Sequence, residues 1–394
     1  MSPILLITIY AALSGFAAYL TDLCLRRWRR TSDRARRIRA YWLAPYILLS
    51  LLPVAGAFLP DSPVKFALQA AGNVWLGFYL YYHWGIAMLL LVAWIARRVR
   101  RGHIKRDVYG GILCLSVALS VAVVGYGLIH ARNTVVRRYE LTVDKPGEDM
   151  KLILLGDLHL SVNADLGVTE RMVALCNAEE PDAVLIAGDV FTSSYGGLAH
   201  ADRYAEALRG LRAKYGVYAV YGNHDVEETL FGGFPISPVS EAFRPREMAQ
   251  FFEDCGFITL EDQVVELGGG VQLAGRVDGD KAGDGTANRM PPDALLAGAD
   301  TSRPILALQH EPKQFKALAE AGADVALCGH THAGQIFPGN LVVPFFNENA
   351  WGYANVHGLD TFVTAGVGCY GPPMRVGTDS EVTVIRLRFG EAAS

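Results

Sequence analysis

Five short polar blocks carry the side chains with the most chemistry: Asp157-Leu158-His159, Gly188-Asp189, Gly222-Asn223-His224-Asp225, Gln309-His310 and Gly329-His330-Thr331-His332. Each closes an apolar run, in turn Lys151–Leu155, Asp182–Ala187, Val217–Tyr221, Pro304–Leu308 and Asp324–Cys328. Runs of that length read as buried strands whose last residues are released into loops. Brought to one edge, Asp157, His159, Asp189, Asn223, His310, His330 and His332 supply seven oxygen and imidazole donors. That is too many for one cation and suits two divalent ions sharing a bridging carboxylate. With no thiolate among them, the set favours Mn, Fe, Zn or Mg over a structural zinc site, and Mn is the preferred choice. Two cations about 4 Å apart would clamp phosphate oxygens and lower the pKa of a bridging water toward about 7. His224, an imidazole beside the Asn223 carboxamide, suits a proton donor next to such a centre. Any one of these residues alone reads as a turn or cap; five blocks at five strand ends do not.

The elements between the blocks set the fold class. Thr169–Ala178, Ala201–Ala213 and Pro312–Ala321 read as helices between the strands, which implies an α/β layered fold with ligands at the strand ends. Gln263–Leu267 and Val271–Leu273 flank Gly268-Gly269-Gly270 and read as a hairpin. Thr361–Thr364 and Glu381–Arg388 complete the strands. Six cysteines at scattered spacings, with no CxxC, exclude a zinc ribbon or a disulfide framework and leave the redox state of Cys176, Cys255, Cys328 and Cys369 open.

A chain of 394 residues with 51% apolar content has room for more than one domain. The first 130 residues hold four apolar segments: Pro3–Leu20, Tyr41–Leu59, one within Phe66–Ala96, and Val108–Ile129. Each has about the 20 residues that cross roughly 30 Å of hydrocarbon, and none shows the polar stripe of a soluble bundle. We therefore expect an all-α four-helix transmembrane region over 1–130, a connection and first strand over 131–150, and a catalytic domain over 151–394. The first segment lacks a basic leader and a cleavage motif, so it reads as retained. His83, among Tyr79, Tyr81, Tyr82 and Trp84, reads as an imidazole hydrogen-bonded between helices, and no role is assigned to it.

Charge separates the two parts. Residues 1–130 carry fifteen Lys and Arg against four Asp and Glu, whereas the rest carries 21 against 36, a net of −15. Arg26–Arg39 holds eight arginines and Arg97–Arg106 six basic residues, while Pro60–Lys65 holds one of each sign. The bias toward basic cytoplasmic loops places both arginine stretches inside, with everything after Ile129 outside. The acidic C-terminal part repels polyanions and argues against nucleic acid as a partner.

Taken in order, the five blocks resemble the motifs of the calcineurin-like metallophosphoesterases over roughly Lys151 to Arg388. The resemblance implies a four-layer α/β/β/α sandwich with a dinuclear metal centre. Carried across motif by motif, it implies one metal on Asp157, His159 and His332, the other on Asn223, His310 and His330, with Asp189 bridging. His224 would be the general acid or a contact to the scissile phosphate. Many relatives place an acidic residue three after the bridging Asp, where it orients that histidine. Here the position is Thr192, so the sequence leaves the partner of His224 open.

Gly334-Gln335 and the tail from Gly366 to Arg375 resemble the membrane-associated bacterial branch of the family. That branch includes lipid-directed phosphodiesterases and UDP-2,3-diacylglucosamine pyrophosphatases of lipid A synthesis. It implies a multi-pass protein of a bacterial inner membrane, in contact with the bilayer and acting on a phosphorylated, lipid-linked substrate. Arg375, after Pro372-Pro373, is a candidate phosphate contact. Two loops, Phe231-Gly232-Gly233-Phe234-Pro235 and Ile336–Gly358 with Phe337, Phe345, Phe346, Trp351 and Tyr353, read as lids or acyl-chain contacts, or as cover for a sheet edge. The UDP-lipid pyrophosphatase is the alternative substrate reading, and an inert membrane receptor or scaffold the alternative class. A site outside the cytoplasm disfavours the first, and a filled ligand set disfavours the second.

Overall fold

A computed structural model of the chain describes residues 3–28, 33–101, 103–231 and 234–390. Arg29 and Arg30 of the first basic stretch, and Gly232 and Gly233 of the Phe-rich loop, lie outside the described residues. The chain divides into two compact units. The larger comprises Ile129–Glu228, Ser237–Tyr370 and Met374–Ser394; the smaller comprises Met1–Leu128, Thr229–Ile236 and Gly371–Pro373.

The larger unit is built on two six-stranded sheets. One runs, edge to edge, Thr134–Val143, Ser380–Phe389, Met150–Leu155, Ala183–Ala187, Val217–Val220, Ile258–Thr259. The other runs Gly352–Val356, Leu359–Val363, Val325–Cys328, Ile305–Leu308, Val271–Gly275, Gln263–Gly268. Met150–Leu155, Ala183–Ala187 and Val217–Val220 run parallel in the first sheet, with Leu154 opposite Leu185, while Ser380–Phe389 is antiparallel to Met150–Leu155; the inner strands of the second are parallel, with Ala307 opposite Ala326. The hairpin expected at Gly268-Gly269-Gly270 forms, with Val265 opposite Leu273.

Side chains alternate across a strand, and here both faces are apolar, so each strand feeds two cores. Leu152 and Leu154 join Leu185, Val220, Leu273, Leu306, Leu308 and Leu327 between the sheets. Ile153 and Leu155, one residue out of phase, join Val184, Ile186, Met172, Leu208 and Phe252 under the helices Leu166–Ala178, Ala201–Arg209 and Arg246–Asp254. On the far side, Ala307, Ala326 and Val363 meet Leu295, Phe315 and Leu318 of two short helices. The result is helix, sheet, sheet, helix, the layering that the family resemblance implied. Each fully buried large aliphatic side chain contributes about 1.5–3 kcal/mol, so a one-residue register slip is heavily penalised. Parallel pairing also makes the strands end together, so Leu155, Ala187 and Val220 release the first three polar blocks side by side, and Leu308 and Cys328 the last two.

In the smaller unit the described helices are Pro3–Trp28, Asp33–Ser50, Leu52–Phe58, Pro63–Arg100 and Arg106–His130. Four stretches, Ile4–Trp28, Arg36–Phe58, Pro63–Arg100 and Arg106–His130, are long and apolar enough to cross a bilayer. The second apolar segment is two helices rather than one. Pro53 has no N–H to give and its ring crowds the preceding turn, so a new helix starts there. His83 does bridge helices: Nδ1 lies 2.6 Å from the Tyr79 carbonyl and Nε2 3.0 Å from that of Leu13. Thr229–Ile236 belongs to this unit, and Phe231 is buried among Leu6, Ala57 and Tyr10. Its ring is core, which corrects the expectation that this residue lines a lid.

Candidate metal centre

The blocks are held in an uncommon backbone conformation. Asp157, His159, Asp189, His330 and His332 all have positive φ, between 45° and 78°. The left-handed region costs a non-glycine residue of order 1–3 kcal/mol, and such residues persist only where the surroundings over-determine them. Here the surroundings are main-chain bonds between blocks. Asp157 N–H donates to the Gly188 carbonyl at 2.9 Å, His159 N–H to that of Asp189 at 3.0 Å, and Gly329 N–H to that of His310 at 2.9 Å.

All seven expected donors converge. His159 Nε2 lies 2.9 Å from His332 Nε2 and 3.9 Å from Asp157 Oδ1; His332 Nε2 is 3.4 Å from that same oxygen. His310 Nε2 and Asn223 Oδ1 each lie 3.1 Å from His330 Nδ1. Asp189 stands between the two groups, its Oδ2 3.1 Å from His310 Nε2 and 3.7 Å from His159 Nε2. Among the described residues, Asp157, His159 and His332 form one set with donor atoms close enough to hold a cation, and Asp157, Asp189 and His310 another. The donor set fits divalent ions: His332 Nδ1 is a buried atom with no partner among the described residues, and imidazole nitrogens with hydrogen bonds on their far side point inward. His310 gives its Nδ1 proton to the Ala187 carbonyl at 2.7 Å, and His159 Nδ1 lies 3.1 Å from Thr192 Oγ1.

Electrostatics follow from burial. Burial pushes the Asp157 carboxyl up to about 7. It opposes ionisation at Asp189 too, but His310, His224 and His159 carry that carboxyl well below its usual range. Burial likewise opposes charge on His310, yet Asp189 beside it raises the imidazole well above an ordinary histidine. Burial takes His159 and His330 down to about 4, and holds His332 and His224 well below an ordinary histidine. Thus a cation must displace a proton from His310 and, near neutrality, part of one from Asp157. Both groups hold more proton as pH falls, so apparent metal affinity drops on acidification and rises with pH. Calorimetric titration with Mn2+ in buffers of different ionisation heat, at about pH 6 and about pH 8, checks this; equal affinity at both, with no proton release, contradicts it.

Arg375, the candidate phosphate contact, lies inside the protein beside the loop that carries His332. It is fully buried, and its guanidinium donates to the carbonyls of Gly368 at 2.6 Å, Gly366 at 3.1 Å and His332 at 3.3 Å. These bonds to three carbonyls tie the tail to the loop that carries His332.

Around His224 the sequence reading missed four residues. The place left open at Thr192 is taken by the next residue: Ser193 Oγ lies 2.8 Å from His224 Nδ1. Behind it, the Ser193 hydroxyl donates to Glu228 Oε2 at 3.3 Å, and Lys281 Nζ donates to the same oxygen at 2.6 Å. Tyr370 stacks on the ring, centroids 4.4 Å apart, with its hydroxyl buried and unpartnered. Spacing alone does not single these out, because a Ser, Glu, Lys or Tyr outside a motif has many ordinary uses. Asp225, in contrast, is structural, its carboxylate accepting from the Phe191 and Gly222 N–H groups at 2.8 Å each.

The stretch that holds these residues matches known proteins. Residues 150–334 match the family described as calcineurin-like phosphoesterase. A transmembrane protein with metallophosphoesterase domain from Bos taurus is 30% identical over 316 residues, covering 76% of this chain and 67% of that protein. The zebrafish (Danio rerio) protein of the same description is 30% identical over 296 residues, covering 70% and 62%. An uncharacterized metallophosphoesterase of Helicobacter pylori (strain ATCC 700392 / 26695) is 30% identical over 255 residues, covering 64% and 63%. The match therefore spans a little under two thirds of these last two relatives' own lengths. With the ordered blocks, their convergence and these matches together, the chain belongs to the calcineurin-like metallophosphoesterase family.

Proposed function

We propose that the chain is a membrane-anchored, metal-dependent phosphoesterase that hydrolyses a phosphodiester or pyrophosphate of a lipid-linked substrate. The observation that carries this is that two donor sets, Asp157 with His159 and His332 and Asp157 with Asp189 and His310, meet at one place, with Asp189 also 3.7 Å from His159 and His224 beside them. Asp157, His159 and His332 would hold one cation, Asn223, His310 and His330 the other, and Asp189 both. Bound divalent cations, Mn2+ first among them, supply Lewis acidity toward phosphate oxygens and acidify water. His224 serves the scissile phosphate, either donating a proton to the leaving oxygen or contacting phosphate directly. The buried surroundings exclude bulk water from these groups.

Two features support the lipid-linked reading. Phe345 and Phe346 are 85% and 80% exposed, on a segment with Leu341 and Val342 also exposed, which suits apolar chains better than water. A cavity of about 530 Å³ reaches Ala333, next to His332, and is lined by Asn340, Asn349, Trp351 and Tyr353, the size of a small-molecule site. The basic stretches support a site outside the cytoplasm.

The test is a substrate panel with the purified full chain: bis-p-nitrophenyl phosphate, a phospholipid in mixed micelles, and UDP-diacylglucosamine. Expected are chelator-sensitive hydrolysis restored by Mn2+ and a preference for the lipid phosphodiester. Release of UMP from the third substrate would replace this reading with the pyrophosphatase one. A metal-free protein inert toward all three would end both and leave the scaffold reading.

A further inference from the structure

We infer that Ser193, Glu228 and Lys281 form a hydrogen-bonded chain that fixes which nitrogen of His224 serves the phosphate. They are positioning residues, and their role rests on the reading of His224 given above.

The direction of each bond follows from chemistry. An ammonium has only donors, so Lys281 gives to Glu228 Oε2 at 2.6 Å and keeps that carboxylate an acceptor. The Ser193 hydroxyl has one proton, and it goes to the same oxygen at 3.3 Å. Its oxygen therefore faces His224 Nδ1, 2.8 Å away, with lone pairs only, and Nδ1 must carry the hydrogen. Among the described residues Nε2 has no protein hydrogen-bond partner, so it is the nitrogen left for substrate: in the neutral ring it holds a lone pair, and it gives a proton to the leaving oxygen only after taking one up from solvent, with Ser193 Oγ still accepting from Nδ1–H of the imidazolium. A carboxylate placed directly against Nδ1 would do the same; here a hydroxyl is interposed, and the acid comes from four residues after the histidine.

The backbone fits this assignment. Ser193 sits at φ 51°, a strained position for serine. It is held there by Ser193 N–H to the His224 carbonyl at 2.8 Å and Glu228 N–H to the Ser193 carbonyl at 3.0 Å. Main chain and side chain thus lock the same three residues together. Ser193 and Glu228 are buried, and Lys281 is 7% exposed, so the ion pair is shielded and its partners are costly to remove.

The test uses the full chain in detergent, loaded with a diamagnetic ion (Zn2+ or Mg2+) for the first of its two readings and with Mn2+ for the second. The first is the tautomer of His224 by nitrogen NMR on protein labelled at histidine, its signal assigned by loss in His224→Gln. Wild type should show the Nδ1–H form; Ser193→Ala and Glu228→Ala should lose it. The second is hydrolysis of a p-nitrophenyl ester and of an ester with a poor leaving group. Ser193→Ala and Glu228→Ala should lower kcat on the poor leaving group by about tenfold or more, with less effect on p-nitrophenyl and with KM and metal content unchanged. An unchanged tautomer in Ser193→Ala overturns the inference whatever the activity, and so does an equal loss on both esters. The expected tautomers in a wild type inert toward both esters would uphold the chain of bonds and refute the proposed function.

Discussion

Asp189→Asn will strip the protein of metal and of hydrolysis together while leaving the fold intact. The carboxylate faces His310 Nε2 at 3.1 Å and His159 Nε2 at 3.7 Å, and its other oxygen accepts from the His224 N–H at 2.8 Å. An amide keeps the shape and that last bond, so the loop has no reason to unfold. It loses the charge that neutralises cations on both sides, and it turns an NH2 toward one of the imidazoles. Losing about 4 kcal/mol of charge stabilisation is about a thousandfold in rate, the smallest effect expected here. Metal content by mass spectrometry, circular dichroism and bis-p-nitrophenyl phosphate turnover measure the three consequences. Full metal content at wild-type rate in this variant would remove Asp189 from the centre.

Gly222→Ala is the second large effect, and it adds a single methyl. A Cβ built there would lie 2.2 Å from Asp189 Oδ1 and 2.5 Å from Asp189 N. Neither can retreat cheaply, because His159 N–H donates to the Asp189 carbonyl and Ala187 pairs with Val220 one step before each loop. The Gly222 φ is not positive, so the cost is collision and not conformation. Forced overpacking of this kind costs typically about 1–3 kcal/mol, several degrees in Tm for a domain of this size, and here it also displaces a ligand. Gly298→Ala, where a Cβ meets nothing within 4 Å, is the control and should melt like wild type. If both variants melt and bind Mn2+ alike, Gly222 is not a spacer for Asp189.

What the sequence revealed was whatever depends on local pattern. Runs such as Val217–Tyr221 announce themselves as strands, parallel strands end together, and so seven candidate ligands spread from Asp157 to His332 were legible as one site. What it concealed depends on which side chain turns where. Arg375 reads the same in either role until three carbonyls are found on its guanidinium. Phe231 reads as a loop aromatic until it is found 1% exposed. The absent acid at Thr192 was a visible gap, but its replacement comes from Glu228 through Ser193, a route no spacing rule encodes. Pro53 was in plain view, and its helix start was missed because hydropathy averages over a proline.

The left-handed backbone at five ligand positions also bears on how this site decays. Asn and Gly tolerate that region better than His or a β-branched residue does, so a ligand lost to either would relax its loop and firm up the apoprotein. Copies released from selection for catalysis should therefore drift toward sturdier, silent folds, with Asn or Gly accumulating at His330 and His332 before Val or Ile. A lineage that has kept all five has been paying continuously to keep them.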